Sequence, residues 1–392
     1  MGSASPGGPR IVVIGAGAAG LATALAAARL GAAVTVLERD HPASGSSGLS
    51  AGIFNRQTPD ALEQELRCFS VARLAELEPA GLRLVRSGYV RVAARAEDME
   101  RLADAARREH ALGVPEARLL DRAGLARLVP GMACDDLAGG LFCPSDGHLD
   151  GHELCTAYAA LGAELGVELR PRTTLEGATV RAGGVELATS AGPLRCDVVV
   201  NAAGAWAEQV AALLGTRAPL ATQRHEVCVA HLPAPLAPPL PVINTYVPGS
   251  AAAALYLRPE SPERVLCGLH TYAAHGAAVT DPDGYARSVE HATVEALAEE
   301  LLARMPGWTD VRLEPGWAGL YPVSADGRFQ VGPHRDAPRV VTVAGLGGVG
   351  LTVSAAVGQL AAEWAVLGEA RAFAFADALL PDRPSLAPRS TP

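Results

Sequence analysis

Three glycines and one acid carry the most specific chemistry in this chain. Gly15, Gly17 and Gly20 follow the apolar run Ile11 to Ile14, and Glu38 closes a second apolar run, Val34 to Leu37, 18 residues after Gly20. Gly15 permits a sharp turn. Gly17, lacking a Cβ, lets backbone N–H groups reach a pyrophosphate at the positive end of the helix that follows. Gly20 lets that helix lie close to a sheet. Ala18 and Ala19 complete the turn, and Glu38, with Arg39 beside it, stands where a carboxylate accepts ribose hydroxyls. A glycine- and alanine-rich chain produces such glycine spacings by chance. The flanking strands and the acid raise the pattern from an ordinary βαβ unit to a dinucleotide site. A second glycine turn, Gly345, Gly347, Gly348, Val349 and Gly350, opens a helix at Leu351 and Thr352. Two such turns, one near each end of the chain, favour a long dinucleotide held along its length over NAD read by one fingerprint.

Between these turns lie smaller signals. The loop Ala43 to Gln57 is built of small residues, among them Ser46, Ser47, Ser50, Ala51 and Gly52, which allow close backbone approach to a ligand or simply form a flexible loop. A further buried strand ends at Asn201 in the small-residue turn of Ala203, Gly204 and Trp206. His148 and His152, with Asp146 and Asp150 nearby, imitate a metal site. Asp150 followed by Glu153 reads better as a capping box for a helix running to Leu165, and no second ligand cluster completes a site, so no metal is expected.

Composition sets the bounds. The 392 residues carry a net charge of −9 without a basic block, which argues against nucleic acid or an anionic membrane as partner. All 33 basic side chains are arginine, which removes lysine chemistry altogether. Seven dispersed cysteines without a CxxC pair suit reduced thiols and a cytoplasmic protein. The N-terminal apolar stretch is the glycine-broken turn, neither a signal peptide nor a membrane span. Residues 1–9 and 381–392 read as disordered tails.

The elements that must position these residues follow from periodicity. Helices are expected over Asp60 to Glu78, Glu97 to Leu112, Arg122 to Leu128, Ala207 to Leu214, Tyr285 to Met305 and Leu351 to Leu367. Strands are expected over Gly88 to Ala93, Val167 to Arg170, Ala178 to Val180, Val185 to Ala188, Glu226 to Ala230, Ala253 to Arg258, Val265 to Leu269 and Val340 to Ala344. Residues 10–82, 145–218 and 322–370 then form a discontinuous nucleotide domain. Residues 83–144 and 219–321 form a substrate domain.

In sequence order, GAGAAG with Glu38, SGSSGLSAG, PSDGHLD, VVNAAGAW, LYLRP, WAGLYPVSADG and GLGGVG resemble the FAD-dependent D-amino acid oxidase superfamily over nearly the whole chain. WAGLY with Asp326 and Gly327 is most similar to the sarcosine oxidase β-subunit and dimethylglycine dehydrogenase branch. Other stretches resemble monomeric sarcosine oxidase and glycine oxidase. The resemblance implies an α/β fold: a Rossmann-type FAD-binding domain with a βαβ unit and central parallel sheet, plus an α+β substrate domain with a mixed or antiparallel sheet.

It also implies hydride transfer from the carbon bearing an amine to flavin N5, with O2 or a separate electron acceptor to follow and a homodimer allowed. Gly319 contacts flavin where relatives carry a linking cysteine, and the loop from Ser44 to Gly52 has no histidine, so the FAD is expected to be non-covalent. Relatives that activate O2 with a lysine place it where Leu266 stands. The family's carboxylate-binding lysine is Thr352 here, and glycine-oxidase-like members have arginine at Tyr321. A substrate carboxylate therefore needs other groups: Arg56, in the loop bearing substrate arginines in sarcosine oxidases, or Arg258, on a strand expected to face the cavity. His225, His270, Tyr256 and Tyr321 complete the candidates, each either a substrate contact or a packed side chain. Two readings stay open: an amine or amino acid oxidoreductase, or a flavoprotein whose FAD is structural and which serves as an assembly partner.

Overall fold

The computed structural model describes residues 7–248, 255–270 and 279–386. Eight α-helices order the described chain: α1 (Ala18–Arg29), α2 (Ala61–Leu74), α3 (Ala96–Ala111), α4 (Arg122–Leu128), α5 (Gly151–Glu164), α6 (Ala207–Leu213), α7 (His291–Arg304) and α8 (Gly350–Leu367). The nucleotide half is a six-stranded sheet. Its strands are β1 (Arg10–Ile14), β2 (Ala33–Leu37), β8 (Glu168–Arg170), β12 (Val198–Asn201), β18 (Gln330–His334) and β19 (Ala337–Ala344), in the order β18-β19-β12-β1-β2-β8. All neighbours are parallel except β18 and β19. The β1–α1–β2 unit and the β12–α6 unit leave the same sheet side by side. Their turns therefore meet at the carboxyl ends of β1 and β12, where an open α/β sheet binds ligands.

Helix packing here depends on small residues. A Cβ on Gly358 of α8 would lie 2.7 Å from the carbonyl carbon of Ala22 in α1, so these two helices approach backbone to backbone. The alanine-rich sequence of α1 is what allows that contact. The stretch Gly347–Leu367 is long and apolar enough by length alone to cross a membrane, but α8 is largely buried and packs against α1 and α2.

The second half is an eight-stranded sheet of β4 (Tyr89–Ala93), β5 (Arg118–Leu120), β6 (Gly139–Cys143), β13 (Ala221–His231), β14 (Val242–Asn244), β15 (Leu255–Ser261), β16 (Arg264–Leu269) and β17 (Arg312–Val323), ordered β17-β13-β16-β15-β14-β4-β6-β5. Only β14 and β4 run parallel. One face buries Val90, Leu255, Leu257 and Cys267 with Leu297 and Leu301 of α7. By the two-residue period of strands, Tyr89, Arg91 and Tyr256 belong to the other face. Two small sheets remain: β9 (Leu175–Arg181), β10 (Gly184–Thr189) and β11 (Leu194–Cys196), and the pair β3 (Ile53–Phe54) with β7 (Gly147–His148).

Three expectations need correction. The helix expected from Tyr285 begins only at His291, because Tyr285 to Glu290 is held in extended turns by strand β13. Arg224 donates to the carbonyls of Ala286 and Ser288, and Glu226 accepts from the N–H of Glu290 at 2.7 Å. The capping box at α5 is half formed. Asp150 caps the N–H groups of His152 and Glu153, but Glu153 accepts from the Arg83 N–H instead of returning to Asp150. Finally, residues 381–386 are not a disordered tail. Buried Arg383 forks onto Asp326, and Leu386 is buried. The remaining tail residues, 1–6 and 387–392, lie outside the described residues.

Candidate active site

A groove with a volume of about 270 Å3 runs along the carboxyl ends of β1, β2, β12 and β19. Its fingerprint turn is held by local geometry. Gly15 has φ +105°, and a Cβ there would sit 2.6 Å from the Ala202 carbonyl; a Cβ on Gly20 would sit 2.0 Å from the Gly15 carbonyl. Gly17 is the N-cap of α1, with Ser47 Oγ accepting the next free N–H, that of Ala18, at 3.1 Å. Glu38 accepts from the N–H of Ala16 at 2.8 Å and of Asp40 at 2.9 Å, which fixes its carboxylate at the groove wall. Arg39 stacks on Trp206, 4.7 Å from the ring centroid, and both hold Asp283 at 2.9 Å. Asp283, between β16 and α7, is thereby held against the groove wall.

A second cavity, about 210 Å3, lies between the eight-stranded sheet and the second glycine turn. Gly345, Leu346 and Gly347 line both spaces, so the groove and the cavity lie against the same turn. Two glycines make room for its tyrosines. A Cβ on Gly348 would meet Tyr321 Cε2 and one on Gly268 would lie 2.6 Å from Tyr256 Oη. The Tyr321 ring stacks on His225 at 3.9 Å, and His270 lies 5.6 Å from His225 and 5.0 Å from Tyr246. Burial pushes the Tyr321 phenol up to about 12 and raises that of Tyr256 well above its ordinary value, so both are neutral donors at neutral pH. At the other end, Arg67 and Arg91 are both buried. Arg67 is paired with Glu63 at 2.5 Å. Arg91 donates to the carbonyls of Tyr246 and Gln57.

A family model described as "FAD dependent oxidoreductase" (DAO) matches residues 10–364. The chain belongs to this family. Among relatives of this flavoenzyme, glycine oxidase from Geobacillus kaustophilus is 25% identical over 90% of this chain and 92% of its own. Human (Homo sapiens) mitochondrial sarcosine dehydrogenase is 31% identical over 57% of this chain, which spans only 26% of that protein. In structure, the L-proline dehydrogenase from P. horikoshii superposes with a TM-score of 0.83 at 23% identity, covering 96% of this chain and 98% of the other.

The groove of the flavoenzyme fits FAD on its own terms. Gly17 leaves a phosphate cradle that a side chain would narrow against Ser47, Glu38 lines the groove, and a second cavity large enough to take part of a ring system lies against the same Gly345–Gly347 turn. Of the residues expected to hold cofactor, Gly15, Gly17, Ala18, Ala19, Glu38, Arg39, Ser46, Ser47, Ala203, Gly204, Trp206, Gly345, Gly347 and Gly350 line the groove. Ser50, Ala51, Gly348, Val349 and Thr352 line the cavity instead. Gly20, Gly52, Gly319 and Leu351 line neither. Gly20 serves helix packing, Gly52 has φ +71° and backs onto the Leu149 carbonyl, Gly319 faces Leu49, and Leu351 is buried in the core.

The cavity gathers Tyr256, Tyr321, His225 and His270. It does not gather the two arginines expected there. Arg56 turns away to fully buried Asp146 at 2.5 Å, with Ser145 at 3.1 Å. Arg258, buried on β15, points beside Glu260 and shares an electrostatic environment with Asp150 and Arg83. Among the described residues the arginines on the cavity wall are Arg67 and Arg91. Arg91 carried a signal: in Tyr89–Ala93 it alternates with Val90 and Val92, so a strand that buries the valines sends the guanidinium to the opposite face.

Proposed function

We propose that the chain oxidises the C–N bond of an amino acid or an N-alkyl amine to an imine, which water then hydrolyses. The observation that carries this reading is the shared lining at Gly345, Leu346 and Gly347, which sets a nucleotide groove beside a cavity of tyrosines, histidines and buried arginine. FAD, when bound, supplies the hydride acceptor; the chain supplies orientation, desolvation and charge.

Gly15, Gly17 and Glu38 are assigned to the phosphates and ribose, and the turn at Gly345–Gly350 to the ring end. Tyr256 and Tyr321, kept neutral by burial, donate hydrogen bonds to the ligand. The amine must lose its proton before it can release hydride, and a downward shift of about two units corresponds to roughly 2.7 kcal/mol of differential interaction. A cavity walled by buried arginine shifts the amine in that direction. The glycine oxidase and sarcosine dehydrogenase names of the relatives agree with an amine substrate. The cofactor is proposed to be non-covalent, since Gly319 offers no nucleophile and the loop at 44–52 has no histidine.

Anaerobic addition of N-alkyl and primary amino acids to the purified yellow protein tests the reading. Bleaching of the flavin by at least one of them is expected, with colour returning in air if O2 is the acceptor. A protein that keeps its colour with the whole panel would instead support the structural-flavin alternative.

A further inference from the structure

The cavity wall contains two buried guanidinium groups and one carboxylate, and they are not used equally. Arg67, whose side chain is 5% exposed, is held from within by a carboxylate and an amide. Its Nε and Nη2 donate to Glu63 Oε1 at 2.8 and 2.5 Å, and its Nη1 donates to Asn55 Oδ1 at 2.6 Å. Arg91, 4% exposed, donates to the carbonyls of Tyr246 and Gln57 and lies over the Tyr89 ring at 5.4 Å, with its Nε without a hydrogen-bond partner. Among the described residues no carboxylate lies within ion-pair distance of Arg91. Buried charges are kept only when an opposite charge or strong dipoles meet them. Arg67 has a carboxylate in contact; Arg91 is met only by carbonyl dipoles and a ring face, with Glu63 acting on it from a distance. Summed over Glu63, Arg67 and Arg91, this end of the cavity carries one net positive charge.

We propose that Arg91 receives a carboxylate of the substrate, and that Glu63, by neutralising Arg67, restricts the site to one such group. The inference rests on the amine-oxidising reading and deepens it by naming the substrate class: an amino acid with a single carboxylate. Strand register places the anchor within reach of polar neighbours. Arg91 pairs with Asn244 across β4 and β14, and Asn244 pairs with Tyr256 across β14 and β15. Arg91, Asn244 and Tyr256 thus form one row on the cavity face of three successive strands. A ligand whose carboxylate sits at Arg91 extends along this row toward Tyr256 and the histidines.

Binding of non-oxidisable ligands to the FAD-loaded protein, followed by perturbation of the flavin absorbance, tests this without turnover. Acetate and propionate are compared with acetamide and propionamide, and with malonate and succinate. On the wild-type protein the monocarboxylates bind at least about 10-fold more tightly than their amides, the worth of one charged hydrogen bond, and more tightly than the dicarboxylates. Glu63→Gln frees Arg67 and shifts the ratio toward dicarboxylates by about 10-fold or more. Arg91→Lys, which keeps the charge but loses the fork, weakens monocarboxylates about 10-fold and leaves amides unchanged. Equal binding of acids and amides, or an unchanged ratio in Glu63→Gln, would overturn the assignment. The wild-type comparison decides even if neither variant folds. The two proposals fail separately: amides of amino acids that bleach the flavin as well as the acids sink this inference alone. Carboxylates that bind while no amine bleaches the flavin sink only the proposed function.

Discussion

Replacing Arg383 by methionine should destabilise the protein far more than its place near the chain end suggests. The guanidinium is 7% exposed and forks onto Asp326 with two bonds of 2.7 Å. Its other donors reach the carbonyls of Phe329, Leu379, Leu380 and Arg328 at 2.9–3.2 Å. Burial alone would raise the Asp326 carboxyl, but the bonds from Arg383 and Ser385 hold it well below the usual carboxylate range. Methionine fills the stem volume yet leaves a carboxylate and four carbonyls short of donors, a loss of about 3–5 kcal/mol for breaking a buried pair. With an unfolding entropy of roughly 2.1 cal/mol/K per residue over about 380 residues, that loss lowers Tm by about 4–6 °C. Thermal unfolding at saturating FAD and pH 7 measures it. The double variant Asp326→Asn with Arg383→Met should lose much less than the sum of the single losses, since no uncompensated charge remains. Below the ordinary carboxylate pKa the difference shrinks, because the stability that a depressed carboxyl contributes is lost as it takes up its proton. A Tm change under about 1 °C in Arg383→Met, or strictly additive losses, would refute the role given to this pair.

Other outcomes follow from individual environments. Burial pushes Glu109 up to about 8, and its Oε2 has no partner. A raised carboxyl binds its proton more tightly in the folded state, so the stability it contributes is full below pH 4.5 and is lost as pH rises through 8. Glu109→Gln should therefore flatten the Tm profile between pH 5 and 9 and raise Tm at pH 9. Burial, with Arg258 and Arg83 nearby, holds His148 down to about 3. A depressed histidine lowers stability as pH falls from about 6.5 toward 3, and His148→Gln should remove that part of the acid sensitivity, again read by Tm. Gly15→Ala must place a Cβ 2.6 Å from the Ala202 carbonyl at a φ of +105°, so the purified variant should lose most of its FAD, measured by its flavin-to-protein absorbance ratio. Acid precipitation of the wild-type protein should leave all the flavin in the supernatant.

Much of the nucleotide half is legible because its demands are local. Gly15 needs a positive φ, Gly17 needs an open helix end and Gly20 needs a close contact, and each need falls on the residue that shows it. The cavity was half legible. Tyr256, Tyr321, His225 and His270 converge as expected, but the arginines do not, because the deciding partners are remote in sequence. Arg56 is captured by Asp146, 90 residues away, through a side-chain bond and a backbone bond of 3.1 Å. Glu63 and Arg67, four apart on α2, look like a solvated helix pair until the fold lays that face against the cavity. The expected start of α7 at Tyr285 failed for a related reason: helix propensity over Tyr285 to Glu290 loses to Arg224 and Glu226, which take the backbone of that segment. Arg383 sits in a proline-rich stretch whose composition imitates a tail, and only Asp326, 57 residues earlier, reveals otherwise.

The claim that everything else depends on is that one FAD spans from the Gly15–Glu38 turn to the Gly345–Gly348 turn, with its ring facing the sheet. A crystal structure of the yellow protein measures this directly. The phosphates are expected at the N-terminus of α1 and the ring between groove and cavity, beside Tyr321 and Tyr256. A ring turned out to solvent, or a cofactor bound anywhere other than between those two turns, would contradict it.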